Sequence, residues 1–92
     1  MEIQFTAHVF KEGRLYVAHT PEFDVSSCGG TESRAVRNLK EAVRLFLEEA
    51  GRMGTLEQIL DEAGYLKRKH GLEGPRLIST VQASVPLPLE HA

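Results

Sequence analysis

The chain has 92 residues, of which 41% are hydrophobic and 26% charged, and its formal net charge at pH 7 is -2. This length accommodates a single domain, residues 1–92, with a small core. The composition excludes disordered, collagen-like and coiled-coil chains, and no apolar run is long enough to cross a bilayer. The net charge supplies no overall positive field, which makes direct DNA binding an unfavoured function.

Cysteine content and the amino terminus bear on the cellular compartment. Cys28 is the single cysteine, so an internal disulfide cannot form. The first residues lack the apolar core of a secretory signal. We therefore expect a cytoplasmic protein without a membrane segment.

The first 30 residues predict three strands. Apolar residues alternate with polar ones at the start, the period of a half-buried strand: Ile3, Phe5, Ala7 and Val9. A glycine-bearing turn over 11–14 leads into a second apolar run over 15–19, so the two strands form a hairpin. Pro21 ends the second strand, and a short third strand is predicted over 25–28.

Two helices are predicted next. The first begins at Thr31, whose hydroxyl suits an N-cap, and its apolar residues recur at spacings of three and four until Gly51 terminates it. Thr55 and Gln58 have the spacing of a capping box and predict a shorter helix that ends at Gly64.

The carboxyl-terminal part predicts a loop and a last strand. Residues 67–75 are polar and contain glycine, which is typical of a loop. Strand alternation resumes from Leu77 to Val85, and prolines follow. The predicted order is β-β-β-α-α-β, an α+β fold with helices packed on one face of a largely antiparallel sheet.

The other face of such a sheet is left uncovered in a single copy. A small protein of this kind gains stability by self-association, so we expect a homodimer or a higher homo-oligomer. The apolar, proline-ended carboxyl-terminal segment has an open edge for a second subunit. Its candidate interface residues are Val81, Val85 and Leu87.

A continuous series of residues follows one recognisable order from the second strand through the long helix. It consists of Tyr16-Val17-Ala18, then Pro21 to Thr31, then Ala35, Asn38-Leu39-Lys40-Glu41-Ala42 and Leu47. The series resembles the HicB-like antitoxin family and covers about half of the chain. Family members typically read tyrosine-x-alanine, a proline-glutamate turn, a glycine-x-threonine helix start, and alanine and asparagine ahead of a glutamate-alanine pair. The matching positions are Pro21, Gly29, Thr31, Ala35, Asn38, Glu41 and Ala42.

The resemblance implies a partial RNase H-like fold and direct capping of a small basic mRNA-cleaving toxin of HicA type. Two features depart from the family pattern. Gly30 stands where many members carry an acidic residue, and residues 65–92 contain no pair of periodic helices. Full-length members usually carry a helix-turn-helix or ribbon-helix-helix module there. The chain thus looks like a stand-alone HicB-like domain, for which autoregulation through DNA is not expected.

The matching residues also have physical interpretations of their own. Gly29 allows a backbone angle that a side chain resists, and Thr31 caps the helix. Ala35 and Ala42 let the helix approach the sheet closely. Asn38 is a poor helix former, so two interpretations remain open, a hydrogen bond to a neighbouring loop or a solvent-facing side chain.

No set of residues predicts catalysis or a bound metal. The four histidines are His8, His19, His70 and His91, and only the first two can meet, on neighbouring strands. Two imidazoles do not complete a zinc site, and two aspartates are too few for an RNase H-type centre. The series Ser26-Ser27-Cys28 lacks an evident base. We expect a protein without enzymatic activity, metal or cofactor.

The most suggestive surface feature is an acidic and aromatic tip at Glu22, Phe23 and Asp24, with Tyr16 nearby. Such a tip suits a basic toxin, whereas the alternative is a folded turn with Phe23 buried. The leading hypothesis is a non-enzymatic antitoxin-like domain. One rival is an RNA-binding module that uses the basic cluster 67–70 with Tyr16 and Phe23, and another is an oligomeric scaffold without a toxin.

Overall fold

The computed structural model describes residues 1–89. Its elements are β1 (His8–Glu12), β2 (Leu15–Thr20), β3 (Val25–Gly29), α1 (Glu32–Met53), α2 (Leu56–Glu62), β4 (Leu66–Arg68) and β5 (Gly71–Glu73). The fold is α+β, with a three-stranded antiparallel sheet, two helices and a small second sheet. The predicted class and the order of three strands, two helices and a following strand are confirmed.

The main sheet has the order β1-β2-β3, with both pairs antiparallel. Gly13, at φ 62°, starts the two-residue turn between β1 and β2, because Glu12 stands opposite Leu15. Val9, Ala18 and Ser27 are aligned across the three strands on the face that meets α1. Helix α1 packs across β2 and β3, with less contact to β1.

The core lies between the main sheet and α1. Its fully buried members include Ala18 on β2 and Ala35, Leu39 and Val43 on α1. Thr31 caps α1 as predicted, since its side chain accepts a 3.1 Å hydrogen bond from the amide of Arg34. Burial of the apolar stripe of α1 supplies most of the driving force for this packing.

The first strand is shorter than predicted. Strand β1 starts at His8, although Ile3, Phe5 and Ala7 do pack against the core as their alternation indicates. His8 is paired with His19, so the positions before it would face Thr20 and Pro21. Because proline cannot donate to a ladder, the sheet has no continuing partner there.

The predicted end of the long helix at Gly51 is wrong, because α1 continues to Met53. Gly54, at φ 76°, is the left-handed terminator, and the amide of Thr55 donates to the carbonyl of Ala50 at 2.9 Å. The capping box predicted at Thr55 is also absent, since its side chain makes no cap hydrogen bond. A Schellman-type turn joins α1 directly to α2.

Helix α2 ends at Glu62, and Gly64 is its terminator as predicted. Gly64 has φ 91°, and the amide of Tyr65 donates to the carbonyl of Leu60 at 2.9 Å. This second Schellman-type turn directs Tyr65 into the core, where it is 4% exposed.

The segment after Tyr65 differs most from the prediction. The expected loop contains the hairpin of β4 and β5, in which Leu66 pairs with Glu73 and Arg68 with Gly71. No strand is formed by residues 77–85, where the last strand was predicted. A strand needs an edge to pair with, and this segment lies along neither edge of its own sheet.

Candidate interaction surface

The face of the main sheet opposite α1 is uncovered. Side chains alternate along a strand, so the residues that do not face α1 form this surface. We call it the outer face, and its members are His8, Phe10, Glu12, Leu15, Val17, His19, Ser26 and Cys28. Because the three strands hold these side chains in register, the outer face is a pre-organised surface.

An apolar row crosses the centre of the outer face. Phe10 stands opposite Val17, which stands opposite Cys28 on the third strand. Phe10 is 54% exposed and Leu15, at the hairpin end, is 49% exposed. A cluster of exposed apolar groups on a flat sheet face is typical of a protein-binding surface.

The rim of the outer face carries two carboxylates, and the exposed cations Lys11 and Arg14 lie at its hairpin end. Glu12 ends β1, and Asp24 lies beyond the other end of the face with 94% of its side chain exposed. The two carboxylates around the apolar row are therefore Glu12 and Asp24, and Asp24 Oδ1 lies 2.9 Å from His19 Nε2. Asp24 adopts a left-handed backbone angle, φ 52°, that turns the chain into β3.

The predicted meeting of His8 and His19 is confirmed, since the two residues are directly opposite on β1 and β2. They do not assemble a metal site, because no group of three His, Cys, Asp or Glu side chains suited to a metal occurs within residues 1–89. His91 lies outside the described residues.

The acidic and aromatic tip predicted at 22–24 is not formed. Phe23 is 9% exposed and belongs to the core, so the folded-turn alternative is correct. Its ring stacks on Tyr65 at 5.6 Å between centroids and also approaches Phe5 and Phe46. Phe23 is therefore unavailable to a partner, because burial of an aromatic ring outweighs the polar character of its neighbours.

Glu22 also turns inward instead of facing a partner. Its carboxylate accepts hydrogen bonds of 2.9 Å from the amide of Thr6 and from the hydroxyl of Thr20. Burial raises the pKa of the Glu22 carboxyl, but hydrogen bonds from its own amide, Thr6 and Thr20 lower that pKa more, so the net value falls below the ordinary 4.5. Glu22 thus fastens the amino-terminal segment to the end of β2.

Tyr16 is half-buried on the α1 side of β2, where it packs against the core. The Lys11 ammonium lies 5.6 Å from the centre of its ring. Of the four residues predicted to contact a partner, Asp24 alone belongs to the rim of the outer face.

The residues shared with the HicB-like pattern occupy structural positions around the contact of β3 with α1. A methyl group at Gly29 would lie 2.8 Å from the amide nitrogen of Ala35, closer than real contacts allow. The backbone angle predicted for Gly29 is wrong, since its φ is not positive; the requirement is close approach. Ala35 is fully buried.

Of the two interpretations left open for Asn38, the hydrogen bond to a neighbouring segment is correct. Its side-chain Nδ2 donates a 2.8 Å hydrogen bond to the carbonyl of Cys28 at the end of β3. Ala42 is half-buried, whereas Glu41 is exposed and bonds to Arg44 on the same helix, which lowers the pKa of the Glu41 carboxyl. Pro21 is exposed in the turn after β2.

Ser26, His19 and Asp24 bring a hydroxyl, an imidazole and a carboxylate together on the outer face, the three groups of a hydrolase triad. Ser26 stands opposite His19, which contacts Asp24. Within residues 1–89, no hydrogen bond joins Ser26 to His19, so the serine lacks the contact that activates a nucleophile. The proximity of His19 and Asp24 was missed by the sequence analysis, because it depends on the turn conformation at Asp24.

The basic cluster 67–70 lies in the hairpin of β4 and β5. Arg68 Nε bonds to Glu73 Oε2 at 2.5 Å, and Lys67 Nζ lies 4.0 Å from Glu57. Two of its cations are therefore close to carboxylates, which reduces the positive field available to a phosphate backbone.

Comparisons of the chain with protein-family models, with curated proteins and with solved structures gave no match. Among residues 1–89, neither helix combines the length and apolar character that a bilayer span requires.

Proposed function

We propose that this protein is a non-enzymatic, HicB-type antitoxin-like domain that acts in the cytoplasm as a homo-oligomer. Its partner is a small basic mRNA-cleaving protein of HicA type, which it neutralises by covering the partner's surface. No cofactor is required, since apolar burial and charge complementarity supply the binding energy.

The observation that carries this proposal is the uncovered outer face, with an apolar row at its centre and carboxylates on its rim. Phe10, Val17 and Cys28 offer apolar contact area, while Glu12 and Asp24 provide negative charge around it. An apolar centre surrounded by charge is the usual anatomy of a protein interface. The carboxylates of Glu12 and Asp24 offer contacts for basic side chains of a partner.

The arrangement of the family-like residues supports the same proposal. Gly29 and Ala35 permit the close contact of β3 with α1, and Asn38 ties the two elements together. These residues fix β3 against α1 on the side of the sheet opposite the outer face. The pattern that resembles the family therefore has a structural explanation in this protein.

The experiment is a nuclease-treated pull-down from the native host, followed by an RNA-cleavage assay with the retained protein. The bait is the full chain, alongside Phe10→Lys on the outer face and Leu45→Lys on α1. Phe10 is 54% exposed and Leu45 is 52% exposed, so the two variants match in burial and in charge change. Folding of each variant is checked by circular dichroism.

We expect the wild-type chain and Leu45→Lys to retain a small basic protein near one-to-one stoichiometry and to inhibit its RNA cleavage. Phe10→Lys should weaken this inhibition by at least about 10-fold, the loss of one well-packed apolar contact. Inhibition that survives Phe10→Lys unchanged would contradict the assigned surface.

Two other outcomes would overturn the proposal. Recovery of the bait alone would favour the oligomeric scaffold. If RNA is retained when nuclease is omitted, with an affinity that falls steeply as salt rises, the chain is an RNA-binding module instead.

A further inference from the structure

The carboxyl-terminal segment from Leu77 to Leu89 is apolar, uncharged and uncovered. Six of its large hydrophobic side chains are 64–86% exposed: Leu77, Ile78, Val81, Val85, Leu87 and Leu89. The segment contains no charged residue and no glycine. Chain segments that stay unstructured in water are usually rich in charge. The composition of this segment therefore indicates that its apolar side chains are buried against another surface.

The first part of the segment has the properties of a β-strand. Residues 77–85 alternate Leu77, Ser79, Val81, Ala83 and Val85 along one face and include β-branched residues. In one copy the segment pairs with nothing, and the radius of gyration is 16.7 Å. A compact chain of this length would have a radius of about 12 Å. Residues 77–85 therefore have the properties of a strand but no neighbouring strand edge to pair with in their own copy.

Strand β1 supplies such an edge. It lies at one side of the main sheet, and His8, Phe10, Lys11 and Glu12 are all exposed. Helix α1 packs over β2 and β3, and the Asn38 side chain bonds to the β3 carbonyl of Cys28, so the opposite edge is partly covered. An open edge strand pairs readily with an added strand.

We propose that residues 77–85 of one copy add as a strand to the β1 edge of a second copy, and that the exchange is reciprocal. Arg76 and Leu77 line the same depression as Thr6 and His8, so the segment leaves its own domain beside the start of β1. A two-fold axis near this point brings each segment to the β1 edge of the other copy. One donor strand and one acceptor edge per chain close the assembly at two copies.

The area available is sufficient for a stable dimer. Each large apolar side chain contributes roughly 60–120 Å² when buried, from 1.5–3 kcal/mol at 25 cal/mol/Å². The added strand carries four of the six, Leu77, Ile78, Val81 and Val85. Four such side chains from each of two copies bury about 480–960 Å², before the backbone and the accepting surface are counted. Stable interfaces begin near about 1,000 Å². The proposed pairing uses the backbone groups of the β1 edge, whereas the outer face is formed by side chains that include Phe10 and Glu12 of the same strand. The mass of the dimer and the exchange of the β1 amides therefore test the pairing separately from toxin binding.

The test measures the mass of the full chain by sedimentation equilibrium and the hydrogen exchange of the β1 amides. The variant is Val81→Asp, at a position 79% exposed in one copy, so the domain itself is unaffected. The matched control is Gln82→Asp, which introduces the same carboxylate one position along, on the other face of the strand.

We expect the wild-type chain to have twice the mass of one 10.2 kDa chain and to show slow exchange at His8–Glu12. Val81→Asp should raise the dimer dissociation constant by about 100-fold or more and accelerate β1 exchange, while Gln82→Asp should change it far less. A monomer at all concentrations overturns the proposal. A dimer that survives Val81→Asp, or one lost without any change in β1 exchange, also overturns it.

Discussion

At the scale of single residues, the adjacent Gly29 and Gly30 have opposite surroundings. A methyl group at Gly29 would meet the backbone of Arg34 and Ala35 at 2.8–2.9 Å, whereas one at Gly30 would meet nothing within 4 Å. Backbone atoms at a helix start cannot move aside as the tip of a flexible side chain can. Gly29 is therefore required by the contact of β3 with α1, and Gly30 is not.

This difference predicts unequal effects of the same substitution. Gly29→Ala should lower the free energy of unfolding by about 1–3 kcal/mol, because the sheet and the helix must separate to admit the methyl group. Gly30→Ala should leave it within about 0.5 kcal/mol, as for other surface changes. Urea denaturation of the two variants measures both values, and equal losses would show that the Gly29 contact is not limiting.

At the scale of elements, both helices end in the same type of turn. Gly54 and Gly64 adopt left-handed backbone angles, and the residue after each glycine donates to a carbonyl five positions earlier. The turn at Gly54 joins α1 to α2, and the turn at Gly64 brings Tyr65 into the core. Helix length is thus decided by where the chain must reverse, and Gly51 remains inside α1.

Substitution of the two glycines near the end of α1 should change stability in opposite directions. Gly51→Ala should raise the free energy of unfolding by about 0.5–1 kcal/mol, since alanine favours a helix interior. The nearest contact of the added methyl is the Leu56 side chain at an ordinary 3.9 Å.

Gly54→Ala should lower the free energy of unfolding by about 1–2 kcal/mol, because a side chain resists the left-handed angle. Thermal unfolding, monitored by circular dichroism, compares the stability of the two variants with that of the wild-type chain. Stabilisation by Gly54→Ala would mean that α1 does not end at this turn.

At the scale of the whole molecule, four aromatic rings from distant parts of the chain meet. Phe23, in the turn before β3, stacks on Tyr65 and contacts Phe5 and Phe46. The hydroxyl of Tyr65 donates to the carbonyl of Gln4, and burial raises the pKa of Tyr65 to about 12, with the Glu22 carboxylate adding to the rise. The cluster connects the amino-terminal segment, the sheet and both helices.

Removal of the central ring should destabilise the whole fold. Phe23→Ala should lower the free energy of unfolding by about 3–5 kcal/mol, a large part of the total for a small domain. Phe10→Ala, on the uncovered outer face, should change it by less than about 0.5 kcal/mol. Melting temperatures of both variants decide this, and similar losses at the two positions would place Phe23 outside the core.

Predictions from the sequence hold where a residue's role depends on its neighbours in the chain. The Thr31 cap, the β1–β2 turn and the stop at Gly64 each follow from local backbone chemistry, and all three are present. The prediction is wrong at Gly51, because two glycines three residues apart are equally suitable terminators by local rules. The chain reverses at Gly54, and α2 then packs against α1.

The candidate site was harder to predict than the fold. Phe23 lies between two acidic residues, so its local sequence resembles an exposed tip, and only the approach of Tyr65 from 42 positions away buries it. The pairing of His19 with Asp24 similarly requires the left-handed turn at Asp24. The apolar row of the outer face needs the register of three strands.

The sequence by itself determined the α+β class, the three amino-terminal strands, the N-cap of α1 and the apolar stripe that packs on the sheet. These depend on hydrophobic periodicity and on the conformational preferences of single residues, which act over a few positions. Only the tertiary structure decided which aromatic residues are buried, which sheet face is open and that residues 77–85 pair with no strand of their own copy. A strand or a buried ring needs partners from distant positions, and periodicity does not specify them.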